Sequence, residues 1–260
     1  MVKGITLLIA IVCAALSAVA QGSSMAESEM VKIKGGTYIP LYGDTTPVAV
    51  GDFLLDKYPV TNKDYLAFLK AYPKWQKGNV KKIFADPNYL KHWQENLSFD
   101  GAYLHSPVTN VSWFAARAYC ECQGKQLPTI DMWEYAGQAS ETKANASKDY
   151  AFYQRILDWY GKPNPAVFPP VQASFRNYWG LYGMHGLVWE WVQDFNATML
   201  AGESRANTGI DRQLFCAGGS AGVQDSKNYV AFMRYAFRSS LKANYTVANL
   251  GFRCAKPIEK

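Results

Sequence analysis

Histidine and charged residues are scarce in this chain of 260 residues. Only 18% of the residues are charged, and the 3 histidines, His92, His105 and His185, form no H-x-x-x-H pair. This spacing disfavours a histidine-held metal site of the common helical kind. The formal net charge is +6, or +5 once Lys3 is removed with residues 1–20, and the basic residues are scattered along the chain. Without a basic stripe, we expect no nucleic-acid partner.

Internal repeats are also absent, since no unit of roughly 20 to 50 residues recurs along the chain, and this excludes a solenoid or a propeller. Hydrophobic residues make up 49% of the chain and aromatic residues 15%, and there are 20 glycines. This composition is typical of a globular fold rather than of a disordered chain. The rings and glycines together favour many short strands and loops packed around aromatic side chains.

The long apolar run of this sequence lies at its start. A short positive start precedes Ile5–Ala20, and Ala-Val-Ala at 18–20 resembles a cleavage site. Cys13 is poorly placed for lipid attachment. We therefore predict a signal peptide over 1–20, a flexible lead-in over 21–30 and a single domain over 31–260. The mature protein is expected to be periplasmic or secreted, without a membrane span.

Four cysteines remain after residues 1–20 are removed: Cys120, Cys122, Cys216 and Cys254. Disulfides persist in exported proteins, so these residues are expected to be oxidised. Four cysteines allow three pairings, and their spacing does not choose among them.

Capping residues predict the helices. Thr61 precedes an amphipathic run that carries Asp64 at the third position. Ser112 begins a second helix through Cys122, and Thr129 begins a third. Residues 74–105 show no clear period and are interpreted as a long insertion.

Several motifs occur in a fixed order: GGTYIPLYG, PVTNKDYLAFL, PVTNVSWFAARAYCECQGKQLPTIDMWEYA, NYWGLYGMHGLVWEWVQD, GGS and NLGFRCA. This order resembles the sulfatase-modifying-factor family, which includes the formylglycine-generating enzymes and exported accessory proteins linked to pyoverdine maturation and nitrite-reductase gene clusters. The resemblance extends from Val31 to Lys256 and is nearest to the nitrite-reductase-cluster group. It implies an α+β fold, the formylglycine-generating-enzyme variant of the C-type lectin fold, with little regular secondary structure.

The resemblance also implies a disulfide between Cys120 and Cys254, which leaves Cys122 and Cys216. These two could form a second structural disulfide, a redox-active disulfide or a thiolate metal site. Because exported thiols are usually oxidised, the structural disulfide is our prediction.

The family's copper chemistry is not carried over to this chain. Formylglycine-generating enzymes hold copper through two cysteines a few residues after GGS, as suits a soft Cu(I) ion. Here no cysteine lies between Cys216 and Cys254. We therefore expect no copper at the family site. The candidates for a relocated catalytic site are Cys216, Cys122 and His185.

Calcium and cleft residues follow from the same resemblance. The family motif G-N-V-W-E-W appears with Leu187 in place of an oxygen ligand, which weakens a calcium site and leaves Glu190 as the metal candidate. Arg234 and Arg238 fall where the family has arginines along a cleft strand, either paired with carboxylates or receiving a peptide. Asp225 is a candidate contact for a partner.

Two functional hypotheses result. The first is an exported accessory or maturation factor that binds a periplasmic protein partner, for example a copper enzyme. The second is an oxidase of the formylglycine-generating type that acts on a thiol through a relocated metal or redox site.

Overall fold

A computed structural model describes residues 28–40, 46–196 and 226–258. The predicted signal peptide, Cys216 and Asp225 lie outside these ranges. The described residues form short helices and strands joined by long loops, which is the α+β class that the resemblance implies.

The described elements are short. The helices are α1 (Asn62–Ala71), α2 (Trp113–Glu121), α3 (Ile130–Gly137), α4 (Tyr150–Tyr160) and α5 (Ser226–Ser239). The strands are β1 (Met30–Ile33), β2 (Gly36–Tyr38), β3 (Val48–Val50), β4 (Phe53–Asp56), β5 (Trp189–Glu190), β6 (Leu250–Gly251) and β7 (Ala255–Pro257). None of the helices in the described ranges is long and apolar enough to cross a membrane.

Strand pairing brings the two ends of the domain together. Strands β1, β4 and β7 form an antiparallel sheet with β4 in the middle, where Leu55 lies opposite Val31 on one side and Ala255 on the other. Strands β2 and β3 form an antiparallel pair, and β5 pairs with β6 in parallel. The C-terminal motif therefore contributes to two sheets. Its strand β7 pairs with β4 near the start of the domain, and its strand β6 pairs with β5 in the GLVWEW segment.

The predicted helix caps are confirmed. Thr61 forms a capping box with Asp64 at the start of α1. The side chains of Ser112 and Thr129 accept hydrogen bonds from the backbone at the starts of α2 and α3. Beyond α2 the chain turns at Gly124, whose φ of 65° is in the left-handed region that favours glycine.

Aromatic rings join the helices to the C-terminal segment. Tyr119 of α2 stacks on Tyr65 of α1 with ring centroids 5.9 Å apart, and it meets Phe252 edge to face at 5.2 Å. Beside them, Cys120 and Cys254 form the disulfide that the resemblance implies. The core therefore fixes the final motif against the first two helices.

Residues 74–105 contain short turns and no longer helix or strand, as the missing period predicts, but some of their side chains enter the core. Leu90 and Trp93 are buried. The Trp93 indole donates a hydrogen bond of 2.9 Å to the side chain of Asn62, which also donates to the carbonyl groups of Ser106 and Pro107. This insertion therefore contributes several buried side chains to the core, while most of its residues are exposed.

Candidate functional site

Arg234 and Arg238 lie on a helix, so the expectation of a cleft strand at this position is wrong. Both belong to α5, four residues apart and therefore on one face. Val230, one turn earlier, packs with Phe152 and Tyr153 of α4. This packing turns the arginine face of α5 toward the interior, and the two arginines are only 3% and 5% exposed.

The carboxylate of Glu134 binds both arginines. Arg234 donates from Nε to Oε1 at 3.0 Å and from Nη2 to Oε2 at 2.7 Å, a bidentate arrangement. Arg238 adds a hydrogen bond from Nη1 to Oε1 of 2.7 Å. Of the two roles that the sequence leaves open for the arginines, pairing with a carboxylate is the one present in the structure.

Electrostatics keep this cluster ionised. Burial would raise the pKa of Glu134, but the charges of Arg234 and Arg238 outweigh that effect and lower the pKa to about 2. The guanidinium of Arg238 also lies over the Trp133 ring, 5.1 Å from its centroid. One carboxylate between two guanidinium groups leaves one positive charge in excess inside the protein.

His185 lies beside this cluster as a neutral side chain. Its Nε2 donates a hydrogen bond of 2.7 Å to the carbonyl of Gly137, and its ring meets Trp133 edge to face. Burial, assisted by the charge of Arg234, lowers the pKa of His185 to about 3. As a candidate catalytic base it is therefore far from the near-neutral pKa that general base catalysis favours.

A small cavity lies beside these groups. It is bounded by Tyr38, Glu134, His185 and Arg234, together with side chains of α4, and its volume is about 10 Å³. The Nδ1 atom of His185 and the Nη1 atom of Arg234 are buried there without a hydrogen-bond partner in the described part of the chain. Such a volume holds about one water molecule and not a thiol side chain.

Glu190, the calcium candidate, has a different role in the structure. Its two carboxylate oxygens accept hydrogen bonds from Arg253, and Oε2 also accepts one of 2.8 Å from the indole of Trp133. Both side chains of the Arg253 pair are 0% exposed. A carboxylate neutralised by arginine in this way does not fit a calcium ligand, which must supply its charge to the ion. In the described ranges, no three metal-binding side chains are grouped as a metal site requires.

Sequence reasoning missed the roles of Arg253 and Lys125. Arg253 also donates to the carbonyl groups of Asp56 and Tyr182. Lys125 forms a buried ion pair of 3.0 Å with Asp56. Arg253 lies inside the NLGFRC motif, and that position was a signal for its ion pair with Glu190. The local sequence around Lys125 gave no signal for the ion pair with Asp56.

The cysteines are arranged only partly as predicted. Cys122 follows α2 and forms no disulfide with any residue that the structure describes, and its Sγ donates to the carbonyl of Tyr119. Burial raises the pKa of Cys122 to about 11, so this thiol stays protonated at neutral pH and is a poor nucleophile or metal ligand. Cys216 lies outside the described residues, and its pairing with Cys122 stays a prediction. The proposed contact residue Asp225 lies outside them as well.

Known proteins match most of this chain in sequence. Residues 17–258 match the sulfatase-modifying factor enzyme 1-like domain. The mouse formylglycine-generating enzyme is 28% identical over 80% of this chain and 67% of its own length, and the chain spans about two thirds of the mammalian enzymes that it matches. The bovine inactive C-alpha-formylglycine-generating enzyme 2 is 28% identical over 82% of this chain and 80% of its own length.

A solved structure supports the fold. The crystal structure of CarF aligns with a TM-score of 0.51 and 16% identity, over 90% of this chain and 99% of that protein. At this identity the likeness concerns the fold alone. The match to the family's domain over residues 17–258 shows that this chain belongs to the sulfatase-modifying factor family.

Proposed function

We propose that this protein is an exported, non-catalytic accessory or maturation factor that binds a periplasmic protein partner, for example a copper enzyme. The observation that carries the proposal is the absence of any cysteine between Cys216 and Cys254, the segment in which the family's copper thiolates are expected. Without two thiolates, the segment lacks the donor set that a soft Cu(I) ion favours.

The arginine cluster supports the same conclusion. Arg234 and Arg238 are buried and paired with Glu134, so both guanidinium groups are held inside the fold rather than displayed at its surface. Cys122 and His185 are both held in unreactive protonation states at neutral pH by burial. The family also includes proteins named as inactive, such as the bovine relative described above.

Two measurements test this proposal. The first is oxygen consumption by the purified protein on a cysteine-containing peptide, with and without added Cu(I). We expect no more oxygen consumption than in a control reaction that contains the peptide and copper but no protein. The second is isolation of the tagged protein from the exported fraction of its source cell, followed by assay of the isolated partner in cells that lack this chain. We expect the partner to be made but to remain inactive or metal-free in those cells.

The runner-up function is an oxidase of the formylglycine-generating type with a relocated site. Its supporting observation is that Cys122 forms no disulfide with any of the residues described in the structure. Copper-dependent oxygen consumption that is lost in a Cys216→Ser or Cys122→Ser variant would establish the oxidase and contradict the accessory role. A partner whose activity does not depend on this chain would also contradict the accessory role.

A further inference from the structure

A groove on the far side of α2 from the core is lined by rings and basic side chains. Its volume is about 420 Å³, within the range of binding pockets in proteins. We call it the basic aromatic groove and define it by Lys74, Trp75, Lys81, Phe84, Phe114 and Arg117. It joins the start of the 74–105 insertion to the exposed face of α2, and it contains none of the cluster around Glu134.

Three rings form the floor of the basic aromatic groove. Phe84 contacts Trp75 at 5.8 Å and Phe114 at 5.4 Å between ring centroids, and both pairs meet edge to face. Trp75 is buried, whereas Phe84 is 37% exposed and its neighbour Ile83 is 70% exposed. An edge-to-face row leaves ring surface open to a further apolar group, which gains by leaving water.

The charges around these rings are unbalanced. Arg117 is paired with Glu121 at 2.6 Å, so its charge is compensated. Lys74 and Lys81 form no ion pair with any residue that the structure describes, and Lys74 lies over the Trp75 ring at 5.8 Å. Lys74, Lys81 and Arg117 carry three positive charges, and Glu121 carries one negative charge. The rim of the groove therefore has a formal charge of +2.

We propose that the basic aromatic groove binds a segment of the partner polypeptide that carries an apolar side chain flanked by carboxylates. This inference rests on the proposed function and adds the site and the chemistry of the partner segment. The rings receive the apolar side chain, and Lys74 and Lys81 attract the acidic groups on either side of it. Charge complementarity of this kind favours acidic segments and rejects basic ones.

The probe is an amidated, acetylated pentapeptide with a central phenylalanine and two glutamates on each side, titrated into the purified protein at low salt. In one control peptide the four glutamates are replaced by lysines, and in the other the phenylalanine is replaced by serine. We expect saturable calorimetric binding of the acidic peptide, about tenfold weaker binding of the serine peptide and none of the lysine peptide. Raising the salt concentration should weaken binding because rim charges are screened.

Matched variants locate the contact. Lys74→Glu with Lys81→Glu should weaken binding of the acidic peptide by about tenfold or more, because two rim attractions become repulsions. Lys148→Glu with Lys162→Glu makes the same change in net charge at exposed positions outside the groove and should leave binding within about twofold. Phe84→Ser should weaken binding, whereas Tyr178→Ser, at another exposed ring, should not. Equal thermal unfolding temperatures would show that the variants are folded.

Three results would overturn the inference: no saturable binding of the acidic peptide, equal binding of the lysine peptide, or equal effects of the two lysine pairs. The proposed function is judged separately. If a partner is isolated with the Lys74→Glu and Lys81→Glu variant as well as with the wild-type protein, the partner docks elsewhere and only the groove is rejected. If the peptide binds as expected but no partner depends on this chain, the groove stands and the accessory role fails.

Discussion

Arg253 and Glu190 form a bidentate ion pair in which both side chains are 0% exposed, with Nη2 to Oε1 at 2.8 Å and Nε to Oε2 at 2.9 Å. The pair joins the C-terminal NLGFRC motif to the GLVWEW segment. Arg253 also donates to the carbonyl of Asp56 at the end of β4. One guanidinium group therefore connects three distant parts of the chain.

Removing one member of this pair should be costly. Glu190→Gln leaves the buried charge of Arg253 without its counterion, and we expect the free energy of unfolding to fall by about 3–5 kcal/mol. Urea unfolding followed by circular dichroism measures this change. Glu121→Gln, which breaks the exposed pair with Arg117, is the matched control and should cost under about 1 kcal/mol. Equal losses in the two variants would contradict the prediction.

Glu134 should make stability depend on acid pH. Its pKa in the folded protein is about 2 against an ordinary value of 4.5, so its contribution is fully present above about pH 4.5 and is lost as the pH falls toward 2. That difference corresponds to about 3 kcal/mol. The gap in unfolding free energy between the wild-type protein and Glu134→Gln should therefore shrink between pH 5 and pH 2.5. A gap that does not change with pH would show that Glu134 is not held ionised by the arginines.

The disulfide between Cys120 and Cys254 should contribute strongly to stability. It closes a loop with a sequence separation of 134, for which the chain-entropy relation gives about 5 kcal/mol. In a background that carries Cys122→Ser and Cys216→Ser, and so lacks the predicted second disulfide, replacing Cys120 and Cys254 by alanine should lower the urea midpoint accordingly, and reductant should have little further effect. Adding Cys122→Ser to a protein that already carries Cys216→Ser is the control for loss of a single sulfur atom and should change the unfolding free energy by about 1 kcal/mol or less.

The thiol of Cys122 should react slowly in the folded protein. Burial raises its pKa to about 11, so at pH 8 its thiolate fraction is about a hundredfold below that of an unperturbed cysteine. In a Cys216→Ser variant, iodoacetamide labelling followed by mass spectrometry should be slow in buffer and fast in denaturant. Fast labelling in buffer would instead indicate an activated thiol, as the oxidase hypothesis requires. Absence of labelling of wild-type protein in denaturant without reductant would establish the predicted second disulfide.

Much of the local structure was predictable because its causes are local. Thr61, Ser112 and Thr129 cap the helices that follow them because their side-chain oxygens accept hydrogen bonds from the first free backbone amides. The irregular character of 74–105 followed from its lack of period. The burial of Trp93 within it did not, because the contact between Asn62 and Trp93 depends on how distant segments pack.

The environment of α5 shows the limit of the resemblance. Arg234 and Arg238 were expected on a strand, although their spacing of four residues fits one face of a helix. Which carboxylate they meet could not be derived from α5 itself, since Glu134 lies 100 residues earlier in the chain. The packing of Val230 against α4 orients the helix and so selects that partner.

The sequence by itself determined the family, the helix starts and the absence of cysteines in the segment after Cys216, since each depends on residue identity and near neighbours. The tertiary structure decided which charges are free. It paired Arg234 and Arg238 with Glu134, and Arg253 with Glu190, because burial of an ion is tolerated only beside a counterion. It left Lys74 and Lys81 without an ion pair, among the described residues, beside the rings of the basic aromatic groove.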